Sequence, residues 1–415
     1  ETLAMGAAAS EVGEAQTDGA AAAEVEEAYK SASSVLAQLT QAGAWEDPSF
    51  PPSNGALCHD WQALPRVKAD FFAKLVWSRV DNCPGGHPKT AKAPIFPPEG
   101  PKPMDVRQGM LGDCYFLAAL SSIAEVQPVL LKQAVFTTAE GQAAGVSICR
   151  LSRAGRWQQV PVSHSLPCRG FPPKLSAEMQ VFDTRALAFS SSCSGALWVP
   201  LLEKAWARIN GSFQAAERGD SAEALAALTG APAKHYRLHP ESAGSQWGIN
   251  SMLSEYISPG SWASWAGLGI SSLFWGRGPE QDTQEQVWSA METAARRGQP
   301  MCASCQGKKK KPQVQQGEEG GILGSLWNIG GAWKSGSQQV SDNVLNEDSE
   351  YEEDQVDEVT GLVGAHCYTV LAAMEVAADN GKSWFRKERW VRLRNPWGTG
   401  RWKGPAPKKG SLPFS

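Results

Sequence analysis

Gln108-Gly109-Met110-Leu111-Gly112-Asp113-Cys114-Tyr115-Phe116-Leu117-Ala118-Ala119-Leu120 runs a glycine-rich turn into an apolar helix and sets one cysteine at the junction. A thiol at a helix N-terminus lies among backbone N–H groups without intrahelical partners, at the positive end of the macrodipole, so its thiolate is stabilised. The pattern predicts a sulfur nucleophile at Cys114. Gly109 and Gly112 let a substrate backbone come close, and Gln108 offers an amide donor to an oxyanion.

A cysteine nucleophile needs a base, and the base needs a group that fixes its tautomer and orientation. The chain has six histidines. His366, in Gly364-Ala365-His366-Cys367-Tyr368-Thr369-Val370, lies where a glycine turn enters a strand. His59 and His87 fall in a proline-rich stretch, and His164, His235 and His239 in less ordered settings. Asn395, in Arg392-Leu393-Arg394-Asn395-Pro396-Trp397-Gly398, fits the orienter, with Trp397 placed to shield an Asn–His bond from water.

Outward from these motifs the chain divides unevenly. Residues 1–44 form an extension rich in Ala and Glu, in which Val25, Tyr29, Val35, Leu36 and Leu39 are spaced along one helical face; it reads as a packing helix or a frayed tail. Prolines and glycines then mark a loop-rich wrap, with a helical turn or two around Asp70 to Val80. Gly145–Leu151 and Trp157–Val162 read as strands, Leu197–Ile209 as a buried helix closed by Asn210-Gly211, and Ser221–Leu228 as a further helix. Residues 240–284 are a Gly/Ser/Trp-rich insertion. A helix is expected from about Gln284 to Arg297, then a charged and disordered insertion over 306–358 with Lys308 to Lys311 at one end and Glu347 to Glu358 at the other. Cys367–Val376 and Trp390–Arg394 read as strands. Cys302-Ala303-Ser304-Cys305 has the spacing of half a zinc site but lacks a second pair, so it reads as thiols in a strand.

A chain of 415 residues has room for two or three domains. Its formal charge of -4 and the lack of a basic face interleaved with aromatics exclude nucleic acid as a partner. No apolar run approaches the roughly 20 residues a membrane span needs. Nine cysteines, an odd number without regular spacing, fit a reducing compartment, and the cytoplasm is the expected location. Glu1 in place of an initial methionine reads as a piece of something longer, with regulatory domains or partners outside it.

The four motifs together resemble the protease core of the calpain family, papain-like cysteine proteases. They are Gln108 to Cys114, Leu197-Trp198-Val199-Pro200-Leu201-Leu202-Glu203-Lys204-Ala205, the strand at His366, and Leu393 to Gly398, in the family's order. The resemblance implies an α+β fold of two subdomains with the cleft between them. Residues 45–239 would be the mainly helical one, with the nucleophile helix, and 285–415 a β-sandwich or barrel-like one with His366 and Asn395. It implies Cys114 as nucleophile, His366 as general base and then acid, Asn395 as orienter, Gln108 as oxyanion donor and protein substrates, with no organic cofactor. It also implies calcium, which in this family brings the two halves together.

The calcium pattern is only partly written here. Asp105 matches a family ligand and is the candidate metal residue, but Ala196 stands where an acid is expected, and Arg401, Lys403 and Lys408 follow Gly398 where the family places acids. Cations repel a hard cation that needs several oxygen ligands. The usual paired aspartates after the second strand are Ser163 and His164, and Ala365 and Cys367 flank the histidine in place of the commoner glycine and alanine. The expected function is a calpain-like cysteine endopeptidase acting through a thioester acyl-enzyme. The alternatives are a catalytically silent calpain-like binding or regulatory module and, disfavoured by Asn395-Pro396-Trp397-Gly398, a transglutaminase-like acyltransferase.

Overall fold

The computed structural model describes residues 14–79, 94–169, 187–236, 284–305, 360–377 and 387–400, with a few short pieces between and beyond them. The insertion at 240–283, nearly all of that at 306–358, Arg401 and Lys408 lie outside the described residues. The principal elements are α1 (Glu14–Leu39), α2 (Cys114–Val126), β1 (Val146–Arg153), β2 (Arg156–Ser163), α3 (Trp198–Asn210), α4 (Ser221–Thr229), α5 (Gln284–Arg296), β3 (Met301–Cys305), β4 (His366–Ala377) and β5 (Lys387–Arg394). The chain thus mixes helices with antiparallel strands.

The apolar run after Cys114 has no polar face, which dictates a helix buried on all sides. Tyr115 through Ala124 are all buried in α2. Phe116 stacks on Trp206 of α3 with ring centroids 5.1 Å apart. The two polar tips on that interface satisfy each other: Trp206 Nε1 donates to Tyr115 Oη at 2.7 Å, and Tyr115 Oη donates to the Ala216 carbonyl at 2.7 Å. These bonds lock α2 to α3 and to the segment after it.

In the second half the strands order as β5-β4-β3, all antiparallel. Side chains alternate across this sheet as strand periodicity requires. Met301, Ala303, Val370 and Ala373 face Val287, Trp288 and Met291 of α5, whereas Cys302 and Cys367 join the core around α2. Among the described residues this half is a three-stranded sheet between two helices, with a separate antiparallel pair of Lys308–Lys309 and Tyr351–Glu352. A β-sandwich would need further strands, and segments 310–350, 378–386 and 404–415 lie outside the described residues.

One expectation is corrected. The helix placed around Asp70 to Val80 runs instead over Arg66–Ala73, followed by a strand at Leu75–Arg79 that pairs with Ser165–Arg169. The β-branched and aromatic content of Leu75-Val76-Trp77 favours a strand once a partner exists. Of the two readings of the N-terminal extension, the packing helix is the one seen over Glu14–Leu39: Ala32 and Leu36 pack on Ala144, Val146 and Ile148, and Tyr29 meets Phe136 edge-on at 5.2 Å.

Candidate active site

The turn before α2 is held by hydrogen bonds to three other segments. Gln108 N–H donates to the Pro396 carbonyl at 2.9 Å, Met110 N–H to Ala188 at 3.0 Å, and Gly112 N–H to Glu217 Oε1 at 3.0 Å, while Arg218 N–H reaches the Gly112 carbonyl at 3.0 Å. Glu217 is itself ion-paired with Lys68. Gly109 serves this construction and not substrate access. A Cβ there would lie 2.0 Å from the Phe189 carbonyl oxygen and 2.6 Å from that of Ala188, whereas at Gly112 the nearest atom is 3.6 Å away. Cys114 opens the helix and is partly exposed.

His366 opens β4, and its ring is buried, 2% exposed. Its Nε2 lies 2.9 Å from Asn395 Oδ1, which also accepts the Trp397 N–H at 2.9 Å. An atom that accepts from a backbone N–H is the amide oxygen, so Nε2 must carry the proton, and Nδ1 keeps its lone pair. The Trp397 ring lies 4.6 Å from the imidazole and Tyr368 meets it edge-on at 5.0 Å. Burial pushes the imidazole pKa down to about 4, and the bond it donates to Asn395 opposes this only in part.

Ala365 precedes the histidine at φ 52°, in the left-handed region that crowds a Cβ. Ala365→Gly relieves about 1 kcal/mol of that crowding but adds freedom to the unfolded chain. The net expected gain is on the order of 0.5 kcal/mol, read as a higher urea midpoint at unchanged slope.

The cysteine and histidine elements run side by side and in the same sense. Thr369 Oγ1 of β4 donates to the Ala118 carbonyl of α2 at 2.9 Å, and one turn on, Ser122 Oγ accepts the N–H of Met301, the strand partner of Val370, at 2.7 Å. Cys114 lies one turn before Ala118 and His366 three residues before Thr369, so both stand at the same end of the α2–β4 contact. Arg394, next to Asn395, spans the same junction: its guanidinium bonds the Val106 carbonyl and approaches Ser121 Oγ at 3.4 Å. Neither Thr369 nor Arg394 was singled out from the sequence, because nothing local in a strand marks which side chain will cross to a helix.

Gln108 lies in the turn with Nε2 donating to the Leu111 carbonyl at 2.7 Å, its Oε1 buried without a partner among the described residues. Asp105 is engaged locally: its carboxylate accepts the Lys102 N–H at 3.0 Å and closes a short turn. Ala196 is buried, Lys403 is exposed, and no three His, Cys, Asp or Glu side chains among the described residues gather as a metal would require. Among the described residues Asp105 is therefore not part of such a cluster. Ser163 and His164, in place of paired acids, have other partners. Lys204 Nζ is buried against Ser163 Oγ and the carbonyls of Ser163 and Ser165 at 2.7–2.9 Å, and His164 Nε2 lies 2.8 Å from Ser147 Oγ.

Residues 45–411 match the model of the family described as calpain family cysteine protease. The chain is 29% identical to calpain-10 of Mus musculus over 210 residues, 49% of this chain and 28% of that protein. It is 31% identical to the calpain-type cysteine protease DEK1 of Arabidopsis thaliana over 198 residues, 48% of this chain and 8% of that one. Against calpain-9 of Rattus norvegicus it is 24% identical over 362 residues, 87% of this chain and 36% of the relative. The chain spans well under half the length of each of these proteins. On the extent of the family match and the arrangement of its motifs, this chain belongs to the calpain family of cysteine proteases.

Proposed function

We propose that the chain is a papain-like cysteine endopeptidase core, acting in the cytoplasm on protein substrates held between the α2 half and the β3–β5 half. The observation that carries this reading is the His366–Asn395 bond under Trp397, set at the same end of the α2–β4 contact as Cys114. His366 Nδ1, neutral at pH 7, takes the thiol proton as sulfur attacks the peptide carbonyl carbon. The resulting oxyanion is held by the Cys114 N–H and by the second amide N–H of Gln108, whose first is fixed on Leu111. His366 then gives its proton to the leaving amine, a thioester remains, and water deprotonated by His366 releases the acid. Asn395 holds the imidazole in the tautomer that permits each transfer.

The two halves are already joined by Thr369, Met301 and Arg394 bonds to α2 and its approach, and the Asp105 carboxylate is engaged in a local turn. We therefore expect cleavage that does not require calcium at that position. The test compares casein cleavage by the chain and its Cys114→Ala variant, each with calcium and with chelator. Cleavage should persist under chelation and fall on the order of 10³-fold or more in the variant. Equal cleavage by both proteins in both conditions would overturn the enzymatic reading in favour of a silent module, and cleavage restricted to calcium would overturn the second expectation.

A further inference from the structure

Beneath the turn that carries Cys114, two carboxyl groups face each other away from water. Asp113 is 0% exposed and Glu203 3%. Asp113 occupies the N-cap of α2, where an aspartate ordinarily accepts a first-turn N–H, yet its side chain makes no such bond. Neither of its oxygens accepts a well-formed hydrogen bond from a donor among the described residues. The carboxyl is turned instead onto that of Glu203, within hydrogen-bonding reach. Two buried carboxylates in contact cannot both be ionised, and one proton between them converts repulsion into a bond. The remaining partners say where it sits. Both Glu203 oxygens accept the Ser190 N–H, at 2.9 and 3.1 Å, which favours the anion on Glu203 and leaves Asp113 as the donor.

We infer that Asp113 and Glu203 share one proton, with Asp113 the neutral acid, and that this pair positions Cys114 and sets the charge beneath it. The inference deepens the reading of Cys114 as nucleophile and rests on it. A helix N-terminus favours a thiolate, but an ionised Asp113, the residue before Cys114, would oppose it. The other charged and titratable groups around the pair do not replace its proton. Glu217 is neutralised by Lys68, Tyr115 is held between Trp206 and Ala216, and Lys204, although next to Glu203 in sequence, turns to Ser163 and Ser165. Burial raises the Asp113 carboxyl well above the usual range and Glu203 to about 7.

Infrared difference spectra of the wild-type chain at pH 8 should show the C=O stretch of a buried protonated carboxylic acid, missing from Asp113→Asn. Alkylation of Cys114 by iodoacetamide reads the sulfur without a protein substrate. Asp113→Asn, whose amide still donates to Glu203, should react within about threefold of wild type, and Asp113→Ala, which leaves Glu203 without its donor, on the order of tenfold slower. Glu203→Gln removes the anion, so its alkylation profile should move to lower pH, a shift that a packing role alone would not produce. No such band in wild type, the same band in Asp113→Asn, or superimposable profiles for Glu203→Gln and wild type would each overturn the pair. A chain that gives the band and the shift but cleaves nothing would instead refute the protease reading alone.

Discussion

His366→Ala should lower kcat/KM on a peptide substrate by about 10²- to 10⁴-fold, the range supplied by a positioned proton-transfer group. The same substitution should slow alkylation of Cys114 near neutral pH, because the thiol then loses its proton only to solvent. In the wild-type chain the acid limb of kcat/KM should follow His366, whose pKa burial pushes down to about 4. The sign for stability follows from the same shift. An unfolded histidine binds its proton below about 6.5, while the folded one resists until about 4. The contribution of neutral His366 to stability is therefore complete above pH 6.5 and is lost as pH falls through about 4, on the order of 3 kcal/mol in total. Denaturation midpoints across that window should show the slope in wild type and lose that component in the alanine variant. Cleavage by His366→Ala within tenfold of wild type would remove His366 from the mechanism.

The elements that carry the candidate site were legible because they are written in contiguous motifs. Cys114 begins a helix and His366 begins a strand, as the glycine turns before them imply, and Asn395 meets the imidazole as its proline-bounded turn suggests. α3 runs from Trp198 to Asn210, within a residue of the span read from apolar spacing. What the sequence did not disclose is side-chain direction. Asp113 reads as a helix cap by residue type, yet its carboxyl leaves the helix end for Glu203, a partner 90 residues away in a different motif. Leu75-Val76-Trp77 reads as the tail of a helix until the strand at Ser165–Arg169 supplies its partner. Asp105 matches a ligand position by identity, while its bond to Lys102 gives it a local turn to close. For Asp113 and for Leu75-Val76-Trp77 the decisive contact joins distant segments, and local propensity carries no record of it.

Gly109→Ala should be the most destructive single change in the turn, costing more than about 3 kcal/mol in stability or preventing the site from forming. The added carbon would stand 2.0 Å from the Phe189 carbonyl oxygen, and both atoms it meets first belong to backbone, which cannot rotate away as a side chain can. The Met110 N–H to Ala188 bond holds those carbonyls against the turn, so relief of the clash breaks the contact that aims Cys114. Gly112→Ala makes the control, since its Cβ would meet only Glu217 at ordinary contact distance, 3.6 Å; it should stay within about 1 kcal/mol of wild type. Urea midpoints measure the difference, and iodoacetamide alkylation of Cys114 locates it. If the first glycine admitted substrate, Gly109→Ala would fold normally and alkylate normally while KM rose. If it instead seats the turn on residues 188–189, stability and sulfur reactivity fall together and Gly112→Ala preserves both.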